Sequence, residues 1–268
     1  MSDMHSQLTD QLHHFHDSKT EKIKSDWFNK VQGNIISVQS VKQKALEWFA
    51  SSKRNTLHNL DALPHVDLTY GCTDYINNFL AKEKRYQVLE KEYSYYALMG
   101  KQKTKVEDLE DNVPVIVSLP NWFYGNTRPD WETLLACCEK KAIDIHIDSA
   151  WFTASKDLDI DLSHPNIKSI AFSITKTGFE WNKFGIRLSK QRTMDSITIR
   201  NTKPWINRNV INCANFIMDR IDIDYAWNTY EGKYNKLCEE LGLTKTNFIH
   251  VAKKDGKNVG VANILSKQ

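Results

Sequence analysis

The chain has 268 residues, 41% of them hydrophobic, enough for one sizeable core with a small appendage. Its 36 basic and 33 acidic residues leave a formal charge of +3 spread along the chain, so composition gives no footing for a dedicated nucleic-acid or membrane surface. The five cysteines (Cys72, Cys137, Cys138, Cys213, Cys238) are odd in number with no C-x-x-C pair, and no apolar run reaches about 18 residues; reduced thiols in a cytoplasmic protein are expected, without disulfide framework or membrane span.

Residues 1–60 are polar with recurrent apolar positions and are expected to form a helical N-terminal segment. Its opening stretch contains no apolar h-region of a secretory signal. Leu8, Leu12 and Phe15 recur near helical spacing, and VKQKALEWFA repeats the pattern. His13, His14 and His16 would point in different directions from a helix, so a solvated face is expected there rather than a metal site. VDLTYG (66–71) reads as a strand ending at a glycine, CTDYINNFLAKEK as a helix and YQVLEKEY as strand-like. VPVIVSL (113–119) is a continuous apolar run, as in a strand buried on both faces. RPDWETLLACCEKKA starts as a helix should, with proline and acidic residues in its first turn. AIDIHID (142–148), IKSIAFSI (167–174) and KFGIRLS (183–189) read as further strands. From about residue 205 a long helical stretch runs to Gly242, and the tail is expected to form a hairpin around Lys254–Gly256. Strands alternating with helices predict an α/β fold, three layers around a mostly parallel sheet. The expected divisions are a helical segment at 1–60, a large domain at 61–205, and a long helix with a reduced C-terminal domain at 206–268.

Ligands of such sheets bind beyond the carboxyl ends of the strands. AIDIHID ends at Asp148, and Asp144, His146 and Asp148 share one face of it, which is costly on an inner strand unless something pairs with them. The next strand ends near Ser173 in FSITKTG, with Lys176 just beyond. SITKTG contains both the S-x-x-K and K-T-G strings of serine β-lactamases, but they overlap on one lysine where that chemistry needs two, so this reading fails. A lysine facing a carboxylate suits pyridoxal phosphate instead: the lysine forms a Schiff base and the carboxylate keeps the pyridine nitrogen protonated. Taken singly, each residue has an ordinary alternative. Lys176 could be an exposed lysine, Asp148 a cap, Arg187 a salt-bridged strand residue, Tyr95 a packing residue and Gly71 a tight turn.

In order and spacing, the stretch from about Val66 to Ser189 resembles the fold type I pyridoxal-phosphate enzymes, the aspartate aminotransferase superfamily. LTYGCTDYIN is similar to the family's phosphate-binding turn, which implies Gly71, Cys72 and Thr73 beneath the phosphate. VLEKEYSYY resembles the segment whose aromatic residue stacks on the ring, implying Tyr95, with Tyr93 second. VSLPNWFYGN resembles the loop that supplies an asparagine to the ring hydroxyl; in register that position is Trp122, and the nearest asparagine is Asn121. HIDSAW implies Asp148 as partner of the pyridine nitrogen, with His146 a candidate partner of Asp148, and with Trp151 where the family has tyrosine. SITK implies Lys176 as the Schiff-base lysine and Ser173 as a phosphate contact, and FGIRLS implies Arg187 as the phosphate-binding arginine.

The resemblance thus implies pyridoxal 5′-phosphate as cofactor, Lys176, Asp148 and Tyr95 as catalytic candidates, a small-molecule amine or amino-acid substrate, and a homodimer. The leading expectation is an aminotransferase-like enzyme. The alternatives are another reaction of the same cofactor (decarboxylation, elimination or aldol cleavage), a bulky or macromolecule-borne amine being one substrate considered, and a non-catalytic binding protein. After Arg187 the chain carries only Arg192, Arg200, Arg208 and Arg220, none in the setting of the family's substrate-carboxylate arginine.

Overall fold

A computed structural model describes residues 8, 15, 17–30, 36–99, 101–203 and 205–266. Leu12 and the His13, His14, His16 group lie outside the described residues. The strands are β1 (Thr56–His58), β2 (His65–Thr69), β3 (Gln87–Leu89), β4 (Lys103–Thr104), β5 (Val115–Ser118), β6 (Ile145–Ser149), β7 (Asp159–Asp161), β8 (Ile167–Ser173), β9 (Gly185–Ser189), β10 (Thr244–Lys245), β11 (Val251–Lys254) and β12 (Lys257–Gly260). The helices are α1 (Ser18–Lys30), α2 (Val38–Ala50), α3 (Gly71–Lys82), α4 (Trp131–Lys140), α5 (Ser196–Thr202), α6 (Arg208–Met218), α7 (Tyr225–Leu241) and α8 (Ala262–Ser266).

Seven strands form the central sheet in the order β2-β9-β8-β6-β5-β3-β4. Strands β8, β6, β5, β3 and β4 are mutually parallel, and β9 runs antiparallel to both β2 and β8. The expected mostly parallel α/β sheet is what the chain forms. One sheet face carries Ile145, Ile147, Ile170, Phe172, Ile186 and Leu188 into the largest core, under α2, α4 and α6. The opposite face lies under α3, whose Cys72, Tyr75, Ile76 and Phe79 pack with Val88, Ile116 and Ala171. This second face is the unusual one. In register across it run Asp67, Arg187, Ala171, Asp148 and Ser118; one pleat lower run Ser189, Ser169 and His146. The polar positions seen in AIDIHID therefore belong to rows that span several strands.

Two expectations change and one feature is new. The stretch from 205 to 242 is two helices, because residues 219–224 turn inward and bond to the end of α2: Trp48 Nε1 donates to Ile221 O (3.0 Å), and Asp224 accepts from Ser52 Oγ and Lys53 N (each 2.6 Å). YQVLEKEY keeps strand geometry only through Leu89. Lys91 then takes a positive φ, Glu92 turns in to accept from Ser118 N (2.9 Å) and pair with Arg128 (2.9 Å), and Ser94–Ala97 is a 3-10 turn. A two-stranded parallel pair, β1 with β7, was not anticipated. The tail hairpin forms, with Asp255 and Gly256 at positive φ between β11 and β12. Helix α7, the hairpin and α8 share a core of their own, which also takes in Phe15 and is flanked by Trp151. No helix among the described residues is long and apolar enough to cross a membrane, and all five cysteines are free thiols.

Candidate active site

A cavity of about 420 Å³ opens at the carboxyl ends of β5, β6 and β8, against the N-terminus of α3. Gly71 forms its floor. Its φ of +76° suits glycine, and a Cβ there would stand 3.4 Å from Ser173 Oγ. The first turn of α3 leaves backbone N–H groups without intrahelical partners and carries the positive end of the helix dipole, an arrangement suited to an anion. Cys72, Thr73, Ser173 and Thr175 also line this end. Ser173 Oγ donates to Phe184 O (3.1 Å) and accepts from Thr175 N (3.3 Å), fixing the turn that follows β8.

That turn, Thr175–Thr177, carries Lys176 and closes at Gly178, where φ is +91° and a side chain would press within 3.0 Å of Phe15 O and Thr20. Lys176 is driven below the usual lysine range, first by burial and then by the charge of Lys183, while Asp148 and Cys72 pull the other way. Its Nζ lies 4.2 Å from the centroid of the Trp151 ring. Asp148 is buried, which raises its carboxyl; Tyr96 Oη donating to Oδ2 (2.7 Å), Cys72 Sγ, Ala150 N (3.0 Å) and the Lys176 charge oppose that rise. Lys176 and Asp148, inferred from separate strand ends, are thus neighbours in one electrostatic unit.

Several implied positions fall elsewhere. Arg187 does not line this cavity. It is buried between Asp195 (2.6 Å) and Asp67 (2.7 Å) and donates to Thr198 Oγ1 (2.8 Å), and Lys42 joins Asp67 at 3.1 Å. The physical reason is strand direction. Because β9 is antiparallel to β8, pairing Gly185 with Ser173, its cavity end is its start, and Arg187 lies two residues further down the sheet. The cation at the cavity end is Lys183, two residues before Gly185, exposed and part of the cavity wall. Its place just before the strand was the available signal. Tyr95 does not line the cavity either; its hydroxyl donates to Asn77 Oδ1 (2.7 Å). Tyr93 caps the 3-10 turn and its carbonyl accepts from Tyr96 N (3.1 Å), so the two, three apart, share a face: Tyr93 lines the cavity and Tyr96 reaches Asp148, their rings edge to face at 5.7 Å.

Asn121 is fully buried with its carboxamide spent on the loop: Nδ2 donates to Lys91 O (3.3 Å) and Oδ1 accepts from Phe123 N (2.9 Å). Trp122 lines the cavity instead, and its buried Nε1 has no hydrogen-bond partner among the described residues. His146 does not support Asp148; Nδ1 is 2.8 Å from Ser169 Oγ. Sequence reading did not single out Tyr96, Lys183 or Ser118, which lines the cavity with its Oγ 2.8 Å from the Tyr96 hydroxyl.

No sequence-family model and no curated protein matches the chain. Solved structures match its fold. A pyridoxal-phosphate-bound C–S lyase from Staphylococcus hominis superposes with a TM-score of 0.63 at 12% identity, covering 92% of this chain and 75% of that one. An alanine aminotransferase from Pyrococcus furiosus gives 0.61 at 9% identity, covering 87% and 71%. An L-threonine-O-3-phosphate decarboxylase from Porphyromonas gingivalis gives 0.57 at 12% identity, covering 90% and 82%. The chain has the fold of the fold type I pyridoxal-phosphate-dependent enzymes.

Proposed function

We propose that the chain is a pyridoxal-phosphate-dependent enzyme, aminotransferase-like, acting on a small amine or amino acid. The observation that carries this reading is the convergence of Lys176 and the buried Asp148 on one cavity that ends at the Gly71 turn. The residues present fit the cofactor. Gly71 leaves room for a phosphate over the first N–H groups of α3, Lys183 offers a cation at that end, and the partnerless Trp122 Nε1 is a donor awaiting an acceptor.

When bound, the cofactor supplies an electron sink for bonds at the carbon that carries the amine. Gly71, Thr73, Ser173 and Lys183 would hold the phosphate, and Asp148 the pyridine nitrogen. Tyr96 keeps Asp148 oriented, and its raised hydroxyl pKa keeps it a donor. Tyr93 and Trp122, which line the cavity, would wall the ring space. Lys176 would hold the cofactor through Nζ and move a proton at that same atom, a role for which its lowered pKa suits it. The fold does not choose among transamination, elimination and decarboxylation, since the structural neighbours include an aminotransferase, a C–S lyase and a decarboxylase.

The test is an absorption spectrum with added pyridoxal phosphate, before and after borohydride, followed by peptide mass mapping. The expected result is a near-visible band in wild type, absent in Lys176→Ala, and a reduced pyridoxyl group on Lys176. No band in either protein overturns the reading. Conversion to the pyridoxamine form by an amine donor then separates transfer from the other reactions.

A further inference from the structure

A second cavity, about 430 Å³, lies on the same sheet face one pleat below the first. Its wall includes the in-register row Ser189, Ser169 and His146, with Arg187 above. Three adjacent central strands thus present polar side chains where an open α/β sheet ordinarily buries apolar ones. Part of this row is internally satisfied: Ser169 Oγ lies 2.7 Å from the Tyr75 hydroxyl and 2.8 Å from His146 Nδ1. The rest is not. Ser189 Oγ and Arg187 Nε are both buried and both lack a hydrogen-bond partner among the described residues, although the two residues are only 6% and 4% exposed. A buried donor left unmade costs about 1–3 kcal/mol, so two in one wall call for an acceptor.

The charges define that acceptor. Lys168 and Lys190 stand at the rim, each donating to Pro165 O (3.1 and 3.2 Å), with Lys82 on the α3 side. Asp144 is 3.3 Å from Lys168 and Glu83 is 3.3 Å from Lys82, while Asp195 is taken up by Arg187. The lining carries four cations against three carboxylates, and behind it Asp67, the second carboxylate on Arg187 (2.7 Å), is matched by Lys42 (3.1 Å). Burial first, then the charges of Lys82, Arg187 and Lys168, push His146 down to about 3, so its ring is neutral and adds no positive charge.

We infer that this cavity is a second ligand site, separate from the Lys176 cavity, that takes a small oxyanion, a carboxylate or phosphate group, on Arg187 Nε and Ser189 Oγ with Lys168 and Lys190 at its rim. The inference does not rest on the proposed cofactor. It is tested by thermal melting of the full chain with inorganic phosphate and, separately, succinate, each against chloride at equal ionic strength. The anion that fits raises the melting temperature beyond chloride. That rise persists in Lys183→Ala, which alters only the first cavity, and disappears in Lys168→Ala/Lys190→Ala. Ser189→Ala, whose small change keeps the fold testable should the double variant fail, weakens the anion's half-effect concentration about fivefold, the worth of one hydrogen bond. No rise beyond chloride with either anion overturns the inference: the two donors then bind water only. A rise lost in Lys183→Ala yet kept in the other variants also overturns it, by placing the anion in the first cavity.

Discussion

The Lys176 ammonium stands 4.2 Å from the centroid of the Trp151 ring, and that ring is itself wedged edge to face against Phe248 (5.4 Å) and His250 (5.3 Å). A cation over an indole face gains about 0.5–2 kcal/mol. Lys176, the proposed Schiff-base lysine, is therefore seated on a platform contributed from the end of β6 and braced by the C-terminal core. Where the resembled family has a tyrosine hydroxyl, this chain has a π face.

The platform favours the charged amine, while burial and Lys183 oppose it. Removing the ring lets the opposing effects win further. Trp151→Leu should lower the pH midpoint for borohydride trapping of pyridoxal phosphate on Lys176 by up to about one unit, with Trp151→Phe between the two. An unchanged midpoint in Trp151→Leu would mean that the ring only packs.

Lys183 and Arg187 should separate binding from stability. Arg187→Leu leaves Asp67 and Asp195 buried with too little positive charge, and should destabilise the fold by about 3–5 kcal/mol in urea. Lys183→Ala removes an exposed side chain and should change stability by less than about 0.5 kcal/mol. In a fluorescence titration the same variant should weaken pyridoxal phosphate about tenfold or more. If Arg187→Leu proves the cofactor-binding defect and Lys183→Ala does not, the assignment reverses.

These two residues mark what a sequence can and cannot disclose. The placement of Gly71, Ser173, Asp148 and Lys176 around one cavity was legible because Gly71 opens α3, Ser173 closes β8, and Asp148 and Lys176 lie within three residues of the ends of β6 and β8, elements whose periods are plain in the residues around them. Arg187 was misplaced because the direction of β9 is a pairing property that no local pattern of GIRLS contains. Tyr95 was implied by the resembled segment, with Tyr93 second, and Tyr96 was not considered; Glu92, buried on Arg128, precedes a 3-10 turn at Ser94–Ala97 that no strand-like reading of EKEYSYY contains. Asn121 was the asparagine nearest in register, and the loop consumes it. The break at residues 219–224 depends on partners about 170 positions away in sequence, Trp48, Ser52 and Lys53.

Tyr96 and Tyr95 give a paired test of that turn. Tyr96→Phe removes the donor to Asp148 and should cost about 1.5–3 kcal/mol, the range for a hydrogen bond to a charged group. The Asp148 carboxyl, already raised by burial, then rises further, so the acid limb of any pH–rate profile should move to higher pH. Tyr95→Phe should leave stability and profile unchanged, because its hydroxyl reaches only Asn77 on the outer side. Equal effects from the two variants would contradict the turn geometry.

The Arg187 network also sets an acid limit. Burial pushes the Asp195 carboxyl up, but the hydrogen bonds from Arg187 and Thr198 N and the guanidinium charge outweigh it and hold the group at about 2. Its unfolded value is about 3.9. A carboxyl depressed on folding stabilises the native state above its unfolded pKa, and that stabilisation disappears as pH falls toward the folded value. Asp195 should therefore contribute on the order of 2 kcal/mol at neutral pH, declining below about pH 4. Asp195→Asn retains an acceptor for Thr198 N at the start of α5 but no longer titrates. Urea midpoints of wild type and variant should differ most near neutrality and converge between about pH 4 and pH 2. A gap that stays constant across that window would show that the loss reflects geometry, with no proton linked to Asp195.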